Sequence, residues 1–196
     1  MASSEPEVLG IAGSPRRDGN TDLLLQQAIS GANSQGAHTR VIILSELNIA
    51  PCRHCDGCWE TGVCVIQDDM QWLSYELRKV DYLILASPIF FMGVTAQVKA
   101  MIDRCQALWV MKYVLKLPVA INPHARRKGL LISAGSANFP ELFQPAIATV
   151  KSWFTTLDVI YADDLLFPGV DKKGTIAHHP TALEQAFHAG QRLLQA

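Results

Sequence analysis

Five short runs of apolar residues, each followed by a longer stretch with the period of a helix, constrain the fold of this chain most. Most of these runs are continuously apolar, which is typical of strands buried on both faces of a parallel sheet. Strands that alternate with helices form an α/β sheet with right-handed crossovers and helices on both faces. One helical stripe runs from Val94 to Trp109. The predicted strands of this five-stranded parallel sheet span residues 8–12, 40–44, 82–86, 129–133 and 159–167.

The length and charge of the chain restrict what it can be. Its 196 residues predict a single domain over residues 1–196, and a net charge of −1 offers no basic surface to nucleic acid or to an anionic membrane. The longest uncharged run, residues 82–98, is interrupted by Pro88 and does not predict a transmembrane helix. The first ten residues have two Glu and no basic residue, unlike a signal peptide. We therefore expect a cytoplasmic protein, in which clustered cysteines bind metal or do redox work more often than they form disulfides.

The loop after the first predicted strand, residues 13–21, has the composition of a phosphate-binding loop. It leads into a helix, whose first N–H groups and positive dipole end attract an anion. It lacks the Lys of a Walker A motif and the glycine pattern of a dinucleotide-binding loop, so a mononucleotide phosphate fits best. The alternative is a tight turn in which Asn20 or Thr21 simply caps the helix. The candidate phosphate-binding residues are Ser14, Arg16, Asn20 and Thr21.

The loop after the third predicted strand, residues 87–93, is too apolar for a solvated connection. Its aromatic rings and methionine offer faces to a flat ligand, and the small residues after the fourth strand leave room beside them. Alternatively, some of these side chains cover the edge of the sheet or a dimer interface. The candidate ring-binding residues are Pro88, Ile89, Phe90, Phe91, Met92 and Gly93 on the third loop, with Ala134 and Gly135 on the fourth.

Two connections, residues 48–69 and 110–128, are unusually long, and long loops in compact domains are often functional. The first, here called the cysteine loop, holds four of the five cysteines. Four thiolates that converge repel one another unless a cation or a cluster neutralises them. Separated C-x2-C pairs are usual for structural zinc, whereas a C-x2-C-x2-C triplet favours a [4Fe–4S] cluster over zinc, and both over a catalytic dithiol. The candidate ligands are Cys52, Cys55, Cys58 and Cys64, and the fifth cysteine, Cys105, is expected to be buried.

These motifs resemble those of the NAD(P)H-dependent FMN reductase group of flavodoxin-like proteins. The resemblance rests on residues 13–21 and 87–104 and covers roughly residues 8–135. It implies the strand order 2-1-3-4-5, with the FMN phosphate on the first loop and the isoalloxazine ring on the third. The four cysteines and residues 169–174 are similar to those of the iron–sulfur flavoproteins, a branch of this group. That branch implies a [4Fe–4S] cluster and a homodimer or homotetramer in which one subunit's cluster approaches the FMN of a neighbour.

Three functions agree with these motifs. The first is a flavin-dependent oxidoreductase that transfers electrons between a [4Fe–4S] cluster and FMN, with NAD(P)H or a ferredoxin as the electron donor. The second is an NAD(P)H-dependent FMN or quinone reductase whose cysteine loop binds zinc or no metal. The third is a metal-stabilised flavodoxin-like interaction module without a flavin. No side chain is assigned as a catalytic residue, because no acid–base constellation is evident in the sequence.

Overall fold

The structure, a computed structural model, describes residues 5–122 and 126–195. Within these residues the chain forms a five-stranded sheet whose strands run parallel in the order β2-β1-β3-β4-β5. The strands are β1 (Glu7–Ala12), β2 (His38–Ile43), β3 (Tyr82–Pro88), β4 (Arg127–Ala134) and β5 (Val159–Phe167). The predicted α/β class, the flavodoxin-like strand order and the five strands are confirmed, although β2 begins and ends earlier in the chain than predicted.

The helices are α1 (Asn20–Asn33), α2 (Met70–Lys79), α3 (Ala96–Arg104), α4 (Gln106–Trp109), α5 (Gln144–Thr156) and α6 (Ala182–Leu193). The single helix predicted from Val94 to Trp109 is wrong, because the chain breaks it at Cys105. The N–H of Cys105 donates to the carbonyl of Ile102, three residues earlier, at 3.0 Å, and this tighter turn ends α3. Burial still continues across the break, which is why the apolar pattern does not reveal it.

Helices cover the sheet on both faces, as predicted. The core on one face packs under α1 and α6, and the core on the other packs under α2, α3 and α5. Successive strand residues alternate between the two cores: Leu83 and Leu85 belong to the second, whereas Ile84 and Ala86 belong to the first. Because both faces of each central strand are buried, these strands are apolar throughout their length.

Two glycines allow α1 and α6 to touch. A Cβ at Gly31 would lie 1.9 Å from the carbonyl oxygen of Phe187, and a Cβ at Gly190 would lie 1.9 Å from that of Ala28. These contacts are with backbone atoms, which cannot rotate away as a side chain can. A larger residue at either position therefore requires the two helices to separate.

Some sequence expectations concern residues outside the described ranges. The N-terminal segment includes residues 1–4, and the second long connection includes Pro123. The described start of that connection continues α4 as a turn of π-helix (Val110–Val114). Among the described residues, no helix has both the length and the apolar character that crossing a membrane requires.

Replacing Gly31 by Ala is expected to lower the free energy of unfolding by about 2–3 kcal/mol, because the new methyl group pushes two helix backbones apart. Chemical denaturation of the purified protein measures this change. Gly93→Ala is the matched control, since a Cβ there would meet its nearest neighbour, the carbonyl of Phe90, at an ordinary 3.6 Å. Equal stability of Gly31→Ala and the unmodified chain would contradict the close packing of α1 and α6.

Candidate functional site

A cleft of about 150 Å³ opens at the carboxyl edge of the sheet, where the loops after β1, β3, β4 and β5 meet. Ligands of open α/β sheets bind at such an edge. The predicted residues that line the cleft are Ser14, Arg16, Asn20, Thr21, Pro88, Ile89, Phe90, Ala134 and Gly135. Four residues that were not predicted also line it: Gly19, Ser136, Val170 and Asp171. Val170 and Asp171 lie in the loop after β5, which ends at Phe167, so the same strand-end rule that identified the other loops points to them.

The first loop leaves the N-terminus of α1 without a side-chain cap. Gly19 occupies the capping position in an extended conformation, and α1 begins at Asn20. The alternative in which Asn20 or Thr21 caps the helix is therefore wrong. Ser14 closes the loop instead, because its Oγ donates to the carbonyl of Arg16 at 2.9 Å and accepts from the N–H of Arg16 at 3.1 Å. The first N–H groups of α1 thus keep their capacity to bind an anion.

The charged side chains of the first loop and the start of α1 have different surroundings. Arg16 is exposed and lines the cleft, whereas Arg17 lies outside it and forms an ion pair with Glu46 at 3.3 Å. Asp22 is buried in the first turn of α1. Burial raises the pKa of Asp22, while hydrogen bonds from the backbone of Asp18 and Gly19 act in the opposite direction. Arg16 is therefore the arginine of this loop that is placed to meet an anion in the cleft.

Asn20 joins the first loop to the segment that follows β5. Its Nδ2 donates to the carbonyl of Lys172 at 2.9 Å, and its Oδ1 accepts from the N–H of Ile176 at 3.2 Å. Asn20 also lines the cleft, where a phosphate contact was predicted for it. Its two hydrogen bonds hold the segment after β5 beside the first loop.

Buried hydroxyl groups connect the ends of three strands. The hydroxyl of Thr95 donates to the carbonyl of Gly13 at 2.6 Å, and the hydroxyl of Ser133 donates to the carbonyl of Ser87 at 2.7 Å. The Oγ of Ser87 accepts from the N–H of Thr95 at 3.2 Å. Because buried polar groups are costly without partners, these paired groups hold the first, third and fourth loops in fixed relative positions.

The tip of the third loop projects away from the cleft. The N–H and carbonyl groups of Phe90 and Gly93 pair with each other at 3.0 Å, which closes a tight turn. Phe91 and Met92 have φ of 49° and 64°, a left-handed conformation that is unusual for such side chains. The side chain of Phe91 is fully exposed. Of the predicted third-loop residues, the structure thus brings Pro88, Ile89 and Phe90 to the cleft but not Phe91, Met92 and Gly93.

All four cysteines of the cysteine loop line a second, smaller cavity, which shares no lining residue with the cleft. Burial raises the pKa of Cys58, and the charges of the other three cysteines raise it further. Cys105 is buried outside this cavity, as expected, with its Sγ accepting from the Nε1 of Trp153 at 3.3 Å.

The backbone of the cysteine loop reverses direction repeatedly between its cysteines. His54, Asp56 and Gly62 all have positive φ, and the Nε1 of Trp59 donates to Oδ1 of Asp56 at 2.9 Å. In the described part of the chain, no group of three or more His, Cys, Asp or Glu side chains is arranged to hold a single metal ion. The four cysteines thus line a common cavity without forming such a group.

Comparison with known proteins identifies the family of the chain. The sequence profile of the NADPH-dependent FMN reductase family matches residues 6–141. An iron–sulfur flavoprotein of Methanocaldococcus jannaschii is 40% identical over 102 residues, which are 52% of this chain and 53% of that protein. An iron–sulfur flavoprotein of Methanosarcina thermophila is 34% identical over 110 residues, which are 56% of this chain and 58% of that protein. The chain therefore spans about half the length of these curated relatives.

A similar fold occurs among solved structures. The NAD(P)H:quinone oxidoreductase from Methanothermobacter marburgensis superposes with a TM-score of 0.72 at 16% identity, covering 97% of this chain and 100% of that one. A flavone reductase superposes with a TM-score of 0.68 at 19% identity, covering 95% of this chain and 61% of that one. At such identities the likeness concerns the fold. The profile match covers more than half of the chain and shows that the chain belongs to the NADPH-dependent FMN reductase family.

Proposed function

We propose that this chain is an FMN-binding oxidoreductase that transfers electrons between a [4Fe–4S] cluster and FMN. One observation carries the proposal: the strand-end loops line one cavity, and all four cysteines of the cysteine loop line another. A flavin exchanges one or two electrons and a cluster exchanges one, so the pair connects one-electron with two-electron chemistry. The protein supplies the two binding sites and the spacing between them.

The residues of the cleft fit FMN. The N-terminus of α1 and the guanidinium of Arg16 would hold the phosphate, because both attract an anion. Ile89 and Phe90 offer apolar contact to the isoalloxazine ring. Gly135 lets the fourth loop pack against the third, since a Cβ there would lie 3.3 Å from the Cβ of Ile89. The isoalloxazine ring would therefore lie against Ile89 and Phe90 in the cleft.

The donor set of the cysteine loop fits a cluster better than zinc. A tetrahedral zinc ion needs its four donors around one point, whereas the irons of a cubane occupy four separate corners. The four cysteines line one small cavity of about 20 Å³, in a loop that is mostly exposed, and three of them have the C-x2-C-x2-C spacing that favours a cluster. The iron–sulfur flavoproteins among the relatives support the same cofactor.

We also propose that the chain forms a homodimer or homotetramer and takes electrons from NAD(P)H or from a ferredoxin. The exposed ring of Phe91, next to the residues that line the cleft, supports the first part, because a neighbouring subunit would remove it from water. The description of the family as NADPH-dependent supports NAD(P)H.

Purification without exposure to air, followed by analysis of iron, acid-labile sulfide, zinc and flavin, tests the proposal. The expected result is FMN together with iron and acid-labile sulfide, the iron and the sulfide in similar amounts. FMN with zinc, or with no metal, would overturn the cluster and favour an NAD(P)H-dependent FMN or quinone reductase. Metal without flavin would leave only a metal-stabilised interaction module.

The Arg16→Ala change is expected to weaken FMN binding about tenfold, because it removes a charged donor to the phosphate. Titration of the apoprotein with FMN, followed by flavin fluorescence, measures the affinity. Arg17→Ala is the matched control, since Arg17 pairs with Glu46 and does not line the cleft. If both variants bind FMN as tightly as the unmodified chain, the phosphate does not lie against Arg16.

The Cys58→Ser change is expected to remove iron and sulfide while FMN still binds, because the two cavities share no residue. Metal analysis and the flavin absorption spectrum of one preparation measure both. Cys105→Ser is the control, because it keeps an acceptor for Trp153 and lies outside the cysteine cavity. A folded Cys58→Ser protein that loses FMN would show that the sites are not independent.

A further inference from the structure

A buried ion pair closes the base of the cysteine loop. Nη1 of Arg104 donates to one carboxylate oxygen of Asp68 at 2.6 Å, and Nη2 donates to the other at 3.0 Å. The Arg104 side chain is 0% exposed and that of Asp68 is 4% exposed. Burial opposes the charge of Asp68, but hydrogen bonds from Arg104 and from the N–H groups of Ala50 and Met70 lower its pKa overall. The pair is therefore ionised, buried and bidentate.

The same guanidinium reaches both ends of the loop. Nη1 also donates to the carbonyl of Ala50 at 2.8 Å, and Nη2 also donates to the carbonyl of Ile66 at 3.2 Å. Ala50 precedes the first cysteine, and Ile66 follows the last. One side chain from the end of α3 thus fixes how far apart the two ends of the cysteine loop lie.

The third guanidinium nitrogen has a different environment. Nε of Arg104 is buried and has no hydrogen-bond partner among the described residues. Arg104 lines the cysteine cavity together with all four thiols of the loop. Burial acts to lower the pKa of Arg104, but hydrogen bonding to Asp68 and the charge of Cys64 raise it overall. A buried N–H donor without a partner, in the wall of a cavity that four cysteines also line, is available to donate to a sulfur there.

We infer that Arg104 is a positioning residue for the cluster: it clamps the two ends of the cysteine loop and offers its Nε–H and its positive charge to the cluster ligands. This inference rests on the proposed cluster. Hydrogen bonds to cluster sulfurs and nearby charge set the potential of a cluster and how firmly it is held. Reduction adds an electron, so a buried cation beside the thiolates favours the reduced form.

Arg104 has two roles in this proposal: it closes the cysteine loop, as a structural ion pair can, and it donates to the cluster, which such a pair does not. A pair that only closes a loop can be replaced by apolar residues of similar volume at little cost in stability. A donor to the cluster cannot, because the replacement removes the charge and the N–H. The double variant Arg104→Met with Asp68→Leu therefore keeps the core filled but removes the guanidinium.

The test compares Arg104→Lys, Asp68→Asn and the double variant with the unmodified holoprotein, all prepared without air. Arg78→Lys is the matched control, because Nε of Arg78 likewise donates to a backbone carbonyl, that of Val119 at 2.8 Å, but Arg78 does not line the cysteine cavity. Three quantities are measured: the rate at which an iron chelator removes iron, the midpoint potential of the cluster, and FMN content as a check on folding.

We expect the two Arg104 variants to keep FMN, to lose iron about 10- to 100-fold faster and to show a more negative cluster potential. Asp68→Asn should lose iron faster but shift the potential in the positive direction, because it weakens the clamp and removes the carboxylate that offsets the cation. Arg78→Lys should match the unmodified protein. An unchanged potential in both Arg104 variants would overturn the role toward the cluster, as would a double variant that keeps its iron as firmly as the unmodified chain.

Hydrogen–deuterium exchange of the apoprotein tests whether Arg104 clamps the cysteine loop, and it does so whether or not the chain binds a cluster. Arg104→Lys is expected to lose amide protection over residues 48–69, whereas Arg78→Lys is not. If the unmodified chain binds no iron, the proposed function fails, but exchange still decides whether Arg104 orders the loop. Equal protection of the loop in Arg104→Lys and the unmodified apoprotein would overturn the clamp.

Discussion

The hydrogen bond from the hydroxyl of Thr95 to the carbonyl of Gly13 is the contact on which the rest of the arrangement depends. It is buried and 2.6 Å long, and the same oxygen accepts from the N–H of Val98 at 3.4 Å and so caps α3. One side chain thus fixes the first loop and the start of α3 together. Gly13 makes this approach possible, because a Cβ there would lie only 2.2 Å from the side chain of Val98.

Helix α3 runs from the cleft to the cysteine cavity. Its capping residue, Thr95, holds the loop that forms one wall of the cleft, and its last residue, Arg104, lies in the wall of the cysteine cavity. At 1.5 Å per residue the two ends are about 13 Å apart along the helix axis. A helix is stiff over this length, so the distance between the sites does not depend on the exposed loops. The break at Cys105 follows immediately and keeps the arginine at the helix end. A change within α3 should therefore disturb both sites, whereas a change within either loop should disturb one.

Some parts of the fold and of the two sites could be predicted from the sequence, because their physical causes leave a pattern in it, and others could not. The strands and their order could be predicted, because burial on both faces leaves continuous apolar runs and because the loop motifs resemble a known family. The residues of the cleft could be predicted because they follow strand ends. The role of Asn20 could not, since its partner Lys172 lies 152 residues away, and polar residues at a helix start suit a phosphate or a loop contact equally well. The pairing of Arg104 with Asp68 is similarly invisible, because it joins residues 36 apart that show no shared periodicity.

The two arginines that face the cavities illustrate how burial sets the role of a charge. The chain carries a net charge of −1, so attraction of an anionic cofactor depends on where its cations lie. Arg16 is exposed, and its attraction for a phosphate is screened by water and salt, which suits a ligand held mainly by backbone N–H groups. Arg104 is buried, so its charge acts with little screening, but it needs Asp68 to offset the loss of hydration. That carboxylate would neutralise the guanidinium if all its donors faced Asp68. Its other donors bond the carbonyls of Ala50 and Ile66, and Nε has no partner among the described residues, so this buried N–H is the donor that we propose for the cluster ligands.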